Sequence, residues 1–127
     1  MDKFTNKIKI AFASQYAFAI KAQNFHWNVE GEDFYQYHNM FEDIYNEVYD
    51  TIDAFAENIR KLKSYTPASL YRFSTLTNID DEVLILSPQE MINNLLVDAE
   101  KMQEIMKSLF VEAEERREYG LSDFIAG

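Results

Sequence analysis

Phe4, Ile8, Ala11, Phe18, Ala22 and Phe25 recur at helical spacing, with Gln15 as the one polar exception in the stripe. At roughly 100° per residue they share one face of an α-helix, and the pattern predicts a helix over 4–28. Phe12, Tyr16, Ala19 and Ile20 widen that stripe, so this helix is expected to be covered on two sides. Gly31 is the natural break. A second stripe follows at intervals of three or four: Phe34, Tyr37, Phe41, Tyr45, Val48, Ile52, Phe55 and Ile59. It predicts a helix over 32–64, about 50 Å long at ~1.5 Å per residue. Thr66-Pro67 ends it, and 68–75 fit a short helix inside the connection. Asp80, Asp81 and Glu82 read as a solvated acidic turn.

Ser87-Pro88-Gln89-Glu90 is a capping box with proline at the first helical position. It opens a third long helix carrying Met91, Leu95, Met102, Ile105, Leu109 and Ala113, with an end expected near Gly120. The methionines read as gap-filling core rather than as metal ligands. Ser122 is placed to cap a fourth helix, of which only a few residues follow. Two long helices and a third joined to them by a long crossover give an all-α bundle.

The polar positions of the second helix carry their own pattern. His38, Glu42, Asp53 and Glu57 are spaced four, eleven and four apart. They fall within about a third of the helix circumference, roughly 110–120° from the apolar stripe. Glu42 and Asp53 are nevertheless ~16 Å apart along the axis, whereas each ligand of one transition metal must approach to ~2 Å. One copy of the helix cannot close a site. The positions are symmetric, however, since 38 and 57 share a midpoint with 42 and 53 between Glu47 and Val48. Two copies crossing antiparallel there would set His38 against Glu57 and Glu42 against Asp53, as an isologous twofold dimer requires. A solvated charged face is the other meaning of the same spacing, because Asp33, Asp43, Glu47 and Asp50 share this segment.

Composition narrows the classes. The 127 residues suit one domain spanning 1–127, and 47% apolar residues with 10 Phe and 8 Tyr argue against disorder. Only 3 Gly and 2 Pro favour long uninterrupted helices. A net charge of −10 suits cations and disfavours nucleic acid, whose phosphates are neutralised by Lys and Arg. No cysteine is present, so thiolate ligands and disulfides are excluded. No long apolar run marks a leader or a membrane span, which makes a cytoplasmic protein the expectation.

The stretch Asn24-Phe25-His26-Trp27-Asn28-Val29-Glu30-Gly31 resembles the signature of the Dps family of mini-ferritins. The resemblance runs on through Asp33-Phe34, His38, Phe41-Glu42, Tyr45, Glu47, Asp53, Ala56-Glu57, Ile59-Arg60, Pro67, Ser69 and Phe73. It continues more weakly to Asp98-Ala99 and Asp123-Phe124. It implies a ferritin-like four-helix bundle with a short helix in the crossover between helices 2 and 3, the fourth helix being truncated here. It also implies a ferroxidase that binds Fe(II) between twofold-related subunits, oxidises it with hydrogen peroxide or dioxygen, and stores ferric iron in a twelve-subunit shell. By resemblance His26, His38 and Glu42 come from one subunit, and Asp53 and Glu57 from its partner. Glu42 stands where many members have Asp. Trp27 resembles an aromatic that quenches radicals beside the site, an ordinary packed aromatic being the alternative. Glu118 and Asp123 align approximately with acidic pore positions. Lys3, Lys7 and Lys9 make no long basic tail, so family-style DNA binding is not expected. The competing functions are a non-enzymatic DNA-compacting relative and a purely structural helical bundle.

Overall fold

Helix α1 (Lys3–Asn28) carries more buried residues than any other helix and forms the spine of the computed structural model, which describes residues 3–127. Four helices follow: α2 (Phe34–Lys61), α3 (Leu70–Leu76), α4 (Pro88–Glu115) and α5 (Tyr119–Ala126). The described residues contain no strand. α1 packs against α2, α3 and α4, and α5 packs on α4. This is a ferritin-like all-α bundle, with α3 inside the long crossover 62–87.

The directions follow from cross-contacts. Gln15 donates to the Thr51 hydroxyl at 3.2 Å, Phe12 meets Phe55 at 5.5 Å, and His26 meets His38, so α2 runs antiparallel to α1. Lys7 pairs with Glu112 and Lys21 with Asp98, so α4 is also antiparallel to α1. α2 and α4 are therefore parallel, and parallel neighbours need a long crossover.

Two apolar clusters hold the bundle. One joins Phe4, Ile8 and Phe12 to Phe55, Ile59, Leu109 and Leu121; the other joins Phe18 and Phe25 to Phe41, Ile79, Met91, Leu95 and Met102. Each fully buried side chain of this kind contributes about 1.5–3 kcal/mol. The two-sided cover expected of α1 is present at Phe12 and Ala19, but Ile20 remains exposed. Lys21 beside it is instead buried, its ammonium donating to Asp98 at 2.7 Å and Asn94 at 2.9 Å. Lys9 is buried as well, and its pKa is lowered, first by burial and then by the Arg72 guanidinium.

Helix ends differ from the expected ones where no glycine signals them. α2 begins at Phe34, after Gly31, and stops at Lys61 rather than 64. There the Leu62 and Lys63 N–H groups donate to Ile59 and Arg60 carbonyls, with Lys63 at φ 63°. α4 stops at Glu115, well before Gly120. Arg117 takes φ 60°, its N–H donating to Glu114 at 3.0 Å, while the Glu118 N–H reaches Ala113 at 2.9 Å. That pair of bonds is a helix-ending motif in which arginine takes the place usually held by glycine. Ser122 is not a cap: it sits buried inside α5 and donates to the Tyr119 carbonyl at 3.1 Å. Ser69, by contrast, caps α3 by accepting the Arg72 N–H. The capping box at Ser87 and Glu90 is complete, and its hydrogen bonds hold the Glu90 carboxyl below the usual carboxylate range. No helix among the described residues is long and apolar enough to cross a membrane.

Candidate metal centre

Gly31 decides where the chemistry of α1 meets that of α2. Its φ of 118° lies where residues with a Cβ are strained, and it lets the chain reverse within the link 29–33. His26, in the last turn of α1, is thereby laid on His38 in the second turn of α2. The two imidazoles stack with centroids 3.8 Å apart at 25°.

Their hydrogen bonds are reciprocal. His26 Nδ1 lies 2.7 Å from the His38 carbonyl oxygen, and His38 Nδ1 lies 2.7 Å from the His26 carbonyl oxygen. A carbonyl has no proton to give, so each Nδ1 must carry one and donate it. In a neutral ring that leaves Nε2 with a free lone pair. Backbone carbonyls thus fix both tautomers and both ring orientations, as partners of metal-ligating histidines do. Phe34 stacks on the outer face of His38 at 4.9 Å, and Tyr45 flanks His26 at 5.3 Å.

Glu42, one turn beyond His38, completes a trio. Each of His26, His38 and Glu42 offers a ligand atom within 4.8 Å of the other two, and Glu42 Oε2 lies 3.9 Å from His26 Nε2. Two ligands of one ion, each ~2 Å from it, are at most ~4 Å apart, so the trio needs to close by about an ångström. The Glu42 side chain, 43% exposed, is free to swing that far, while buried His26 holds the fixed end. Imidazole and carboxylate together suit first-row metals, and three protein ligands leave positions open.

Asp53 and Glu57 are not brought to this trio. Both are exposed farther along α2, on the same side of the helix as Glu42. Trp27 is exposed at 65% and faces away from the core. Phe34 and Tyr45 entered the sequence reading as members of an apolar stripe, yet they pack on the histidines. Their signal was positional: Phe34 precedes His38 by one turn, and Tyr45 follows it by two. The mutual carbonyl bonds had no such signal.

Comparison with known proteins bears on the family and the fold. The family model described as Ferritin-like domain matches residues 5–127. An uncharacterised low temperature-induced protein of Nostoc sp. is 27% identical over 124 residues, covering 96% of this chain and 69% of that protein. The DNA protection during starvation protein of Helicobacter pylori is 38% identical over 63 residues, half of this chain and 44% of its own length. Among solved structures, the Dps protein of Vibrio cholerae O1, described as a member of a broad superfamily of ferritin-like diiron-carboxylate proteins, superposes with a TM-score of 0.93. That match covers 98% of this chain and 78% of the other at 22% identity, and carries the fold. The chain belongs to the ferritin-like domain family, in its Dps branch.

Proposed function

We propose that this protein is a ferroxidase that takes up Fe(II) as substrate at centres shared between two subunits and stores the ferric product. The observation that carries the reading is the pair of imidazoles locked by each other's backbone carbonyls, with His26 Nε2 3.9 Å from Glu42 Oε2 and His38 in the same cluster. His26, His38 and Glu42 supply one side of each centre, and Asp53 and Glu57 of the partner subunit supply the other. The symmetry of positions 38, 42, 53 and 57 supports that pairing, as does the exposure of both acidic side chains on one protomer. The assembly is at least a twofold dimer and, as in the family, a twelve-subunit shell in the cytoplasm.

The residues bind and orient; the oxidant does the rest. Two Fe(II), one hydrogen peroxide and two protons give two Fe(III) and two waters. The His26 ring, held rigid, sets the position of the ion, and mobile Glu42 follows its change of charge. Trp27, exposed next to His26, is placed to intercept reactive products that escape. The net charge of −10 draws cations toward the protein and opposes binding to duplex DNA. The test is anaerobic titration with Fe(II) followed by peroxide. Saturable binding and a rise in ferric absorbance are expected; absence of both in wild-type protein overturns the reading.

A further inference from the structure

A run of phenol rings leads inward from the metal centre. The Tyr45 ring lies 5.3 Å from the His26 imidazole, Tyr49 lies 5.9 Å from Tyr45, and Tyr16 lies 5.7 Å from Tyr49, centroid to centroid. The geometry comes from the helices. Tyr45 and Tyr49 are one turn apart on α2, and antiparallel α1 lays Tyr16 against Tyr49. All three are half-buried. Beyond Tyr16 the rings are Phe73, stacked at 4.7 Å, and Phe12 at 6.5 Å. Neither has a hydroxyl, and benzyl rings are far harder to oxidise than phenols. The run therefore has an entrance at the metal centre and an end in the protein interior.

Packing alone does not call for hydroxyl groups here. The edge-to-face contacts of Tyr45, Tyr49 and Tyr16 are available to phenylalanine just as well, and Phe12, Phe55 and Phe73 make such contacts in the same region. The Tyr49 pKa is raised, chiefly by burial and then by the neighbouring Tyr16 and Tyr45 phenols, so Tyr49 keeps its proton.

Resting on the iron-oxidising reading above, we propose that Tyr45, Tyr49 and Tyr16 form a one-electron relay that supplies the second electron to hydrogen peroxide when a centre holds a single Fe(II). Peroxide needs two electrons and two protons to become two waters, and one Fe(II) gives one electron. Tyr45 gives the other electron with its phenolic proton, and the remaining proton comes from solvent. Fe(II), Tyr–OH, H2O2 and H+ become Fe(III), a neutral tyrosyl radical and two H2O, with the O–O bond and the phenolic O–H bond broken. Transfer of a hydrogen atom from Tyr49 to Tyr45, then from Tyr16 to Tyr49, moves the radical inward without net change. The competing fate of a half-loaded centre is release of hydroxyl radical, which the relay suppresses.

The test loads the assembled protein anaerobically with less than one Fe(II) per centre, mixes it with excess peroxide and freezes it on the millisecond scale. Electron paramagnetic resonance reads the radical, ferric absorbance reads the iron, and a spin trap reads hydroxyl radical. Wild-type protein is expected to show a tyrosyl signal. Tyr45→Phe should lose it and raise the spin-trap adduct. Tyr49→Phe should confine it to Tyr45, with changed splitting and faster decay, and Tyr16→Phe should change it least. A ring-fluorinated tyrosine at position 49, which preserves the packing, should alter the splitting even if a phenylalanine variant folds poorly. Ferric absorbance without a tyrosyl signal, or a signal indifferent to all four changes, overturns the relay and leaves iron oxidation standing. No ferric absorbance in wild type overturns both.

Discussion

Lys21 and His26 lie five residues apart on α1 and both are buried, but their polar partners leave them in different states. At about 100° per residue they point roughly 140° apart, Lys21 toward α4 and His26 toward α2. The Lys21 ammonium meets Asp98 at 2.7 Å and Asn94 at 2.9 Å, and both charged side chains are nearly closed to solvent. Its charge is answered within the chain. Among the described residues His26 and His38 hydrogen-bond through their Nδ1 protons to each other's carbonyls, and His26 Nε2 is left 3.9 Å from a half-open Glu42. One cluster is closed and structural; the other is held rigid and kept unfinished. Burial of polar groups is common to both, so burial by itself does not distinguish the proposed centre. The clustered ligand atoms do.

The largest effect expected from this contrast lies on the closed side. Asp98→Ala leaves a buried ammonium with one neutral partner and should destabilise the fold by about 3–5 kcal/mol, read by urea unfolding. Replacing both charges, Lys21→Met with Asp98→Leu, should restore most of that loss. A single variant as stable as wild type would remove the distinction between the two clusters.

On the open side the effect should fall on ligand binding instead. Loss of even an outer partner of a metal ligand costs 10–100-fold in affinity, so His38→Ala should weaken Fe(II) binding by about 100-fold. Its fold should lose only about 1 kcal/mol, the worth of one hydrogen bond. Calorimetric titration and denaturation on the same sample separate the two. A stability loss as large as that of Asp98→Ala, with unchanged affinity, would make the histidine pair another structural cluster.

A third experiment asks whether the unfinished cluster is finished by a second copy. His38→Ala and Glu57→Ala homodimers each carry two damaged centres. In a mixed dimer both lesions fall in one centre and leave the other intact, so random co-assembly should regain about a quarter of wild-type centres. Mixed dimers as inactive as either parent would break the twofold pairing.

The smallest effect is expected at a polar cluster closed in the open. Ser87 and Glu90 satisfy each other at the start of α4 while exposed. Ser87→Ala should cost about 1 kcal/mol. Because the Glu90 carboxyl is held below its ordinary range, its contribution is complete above its unfolded pKa and is lost as pH falls through the lower folded value. The stability gap between wild type and Glu90→Gln should therefore narrow in acid. A gap independent of pH would mean that the Glu90 charge takes no part in the cap.

Much of this was legible in the chain itself, because it is local. Apolar spacing gave the long helices, Ser87-Pro88 gave the start of α4, and the register of 38, 42, 53 and 57 gave the polar face of α2. Those signals need only the 100° step of a helix. Helix ends at Lys63 and Arg117 were not legible, since a left-handed residue without glycine is imposed by what must fold back beyond it. Ser122 reads as a cap from its neighbours, and becomes an interior residue only because α5 starts at Tyr119.

The site divides along the same line. That His38 and Glu42 share a face was fixed by their spacing of four, and that no single copy reaches Asp53 was fixed by the rise per residue. The place of His26 could be carried over only by resemblance, for it depends on how tightly the chain reverses at Gly31. The choice of tautomer, the Tyr45 ring on His26, and the continuation of the phenols to Tyr16 were decided by tertiary structure alone. The contacts of Tyr45 with His26, of Tyr16 with Tyr49 and of each histidine with the other's carbonyl join two antiparallel helices, and the periodicity of one helix carries no information about its axial offset from another.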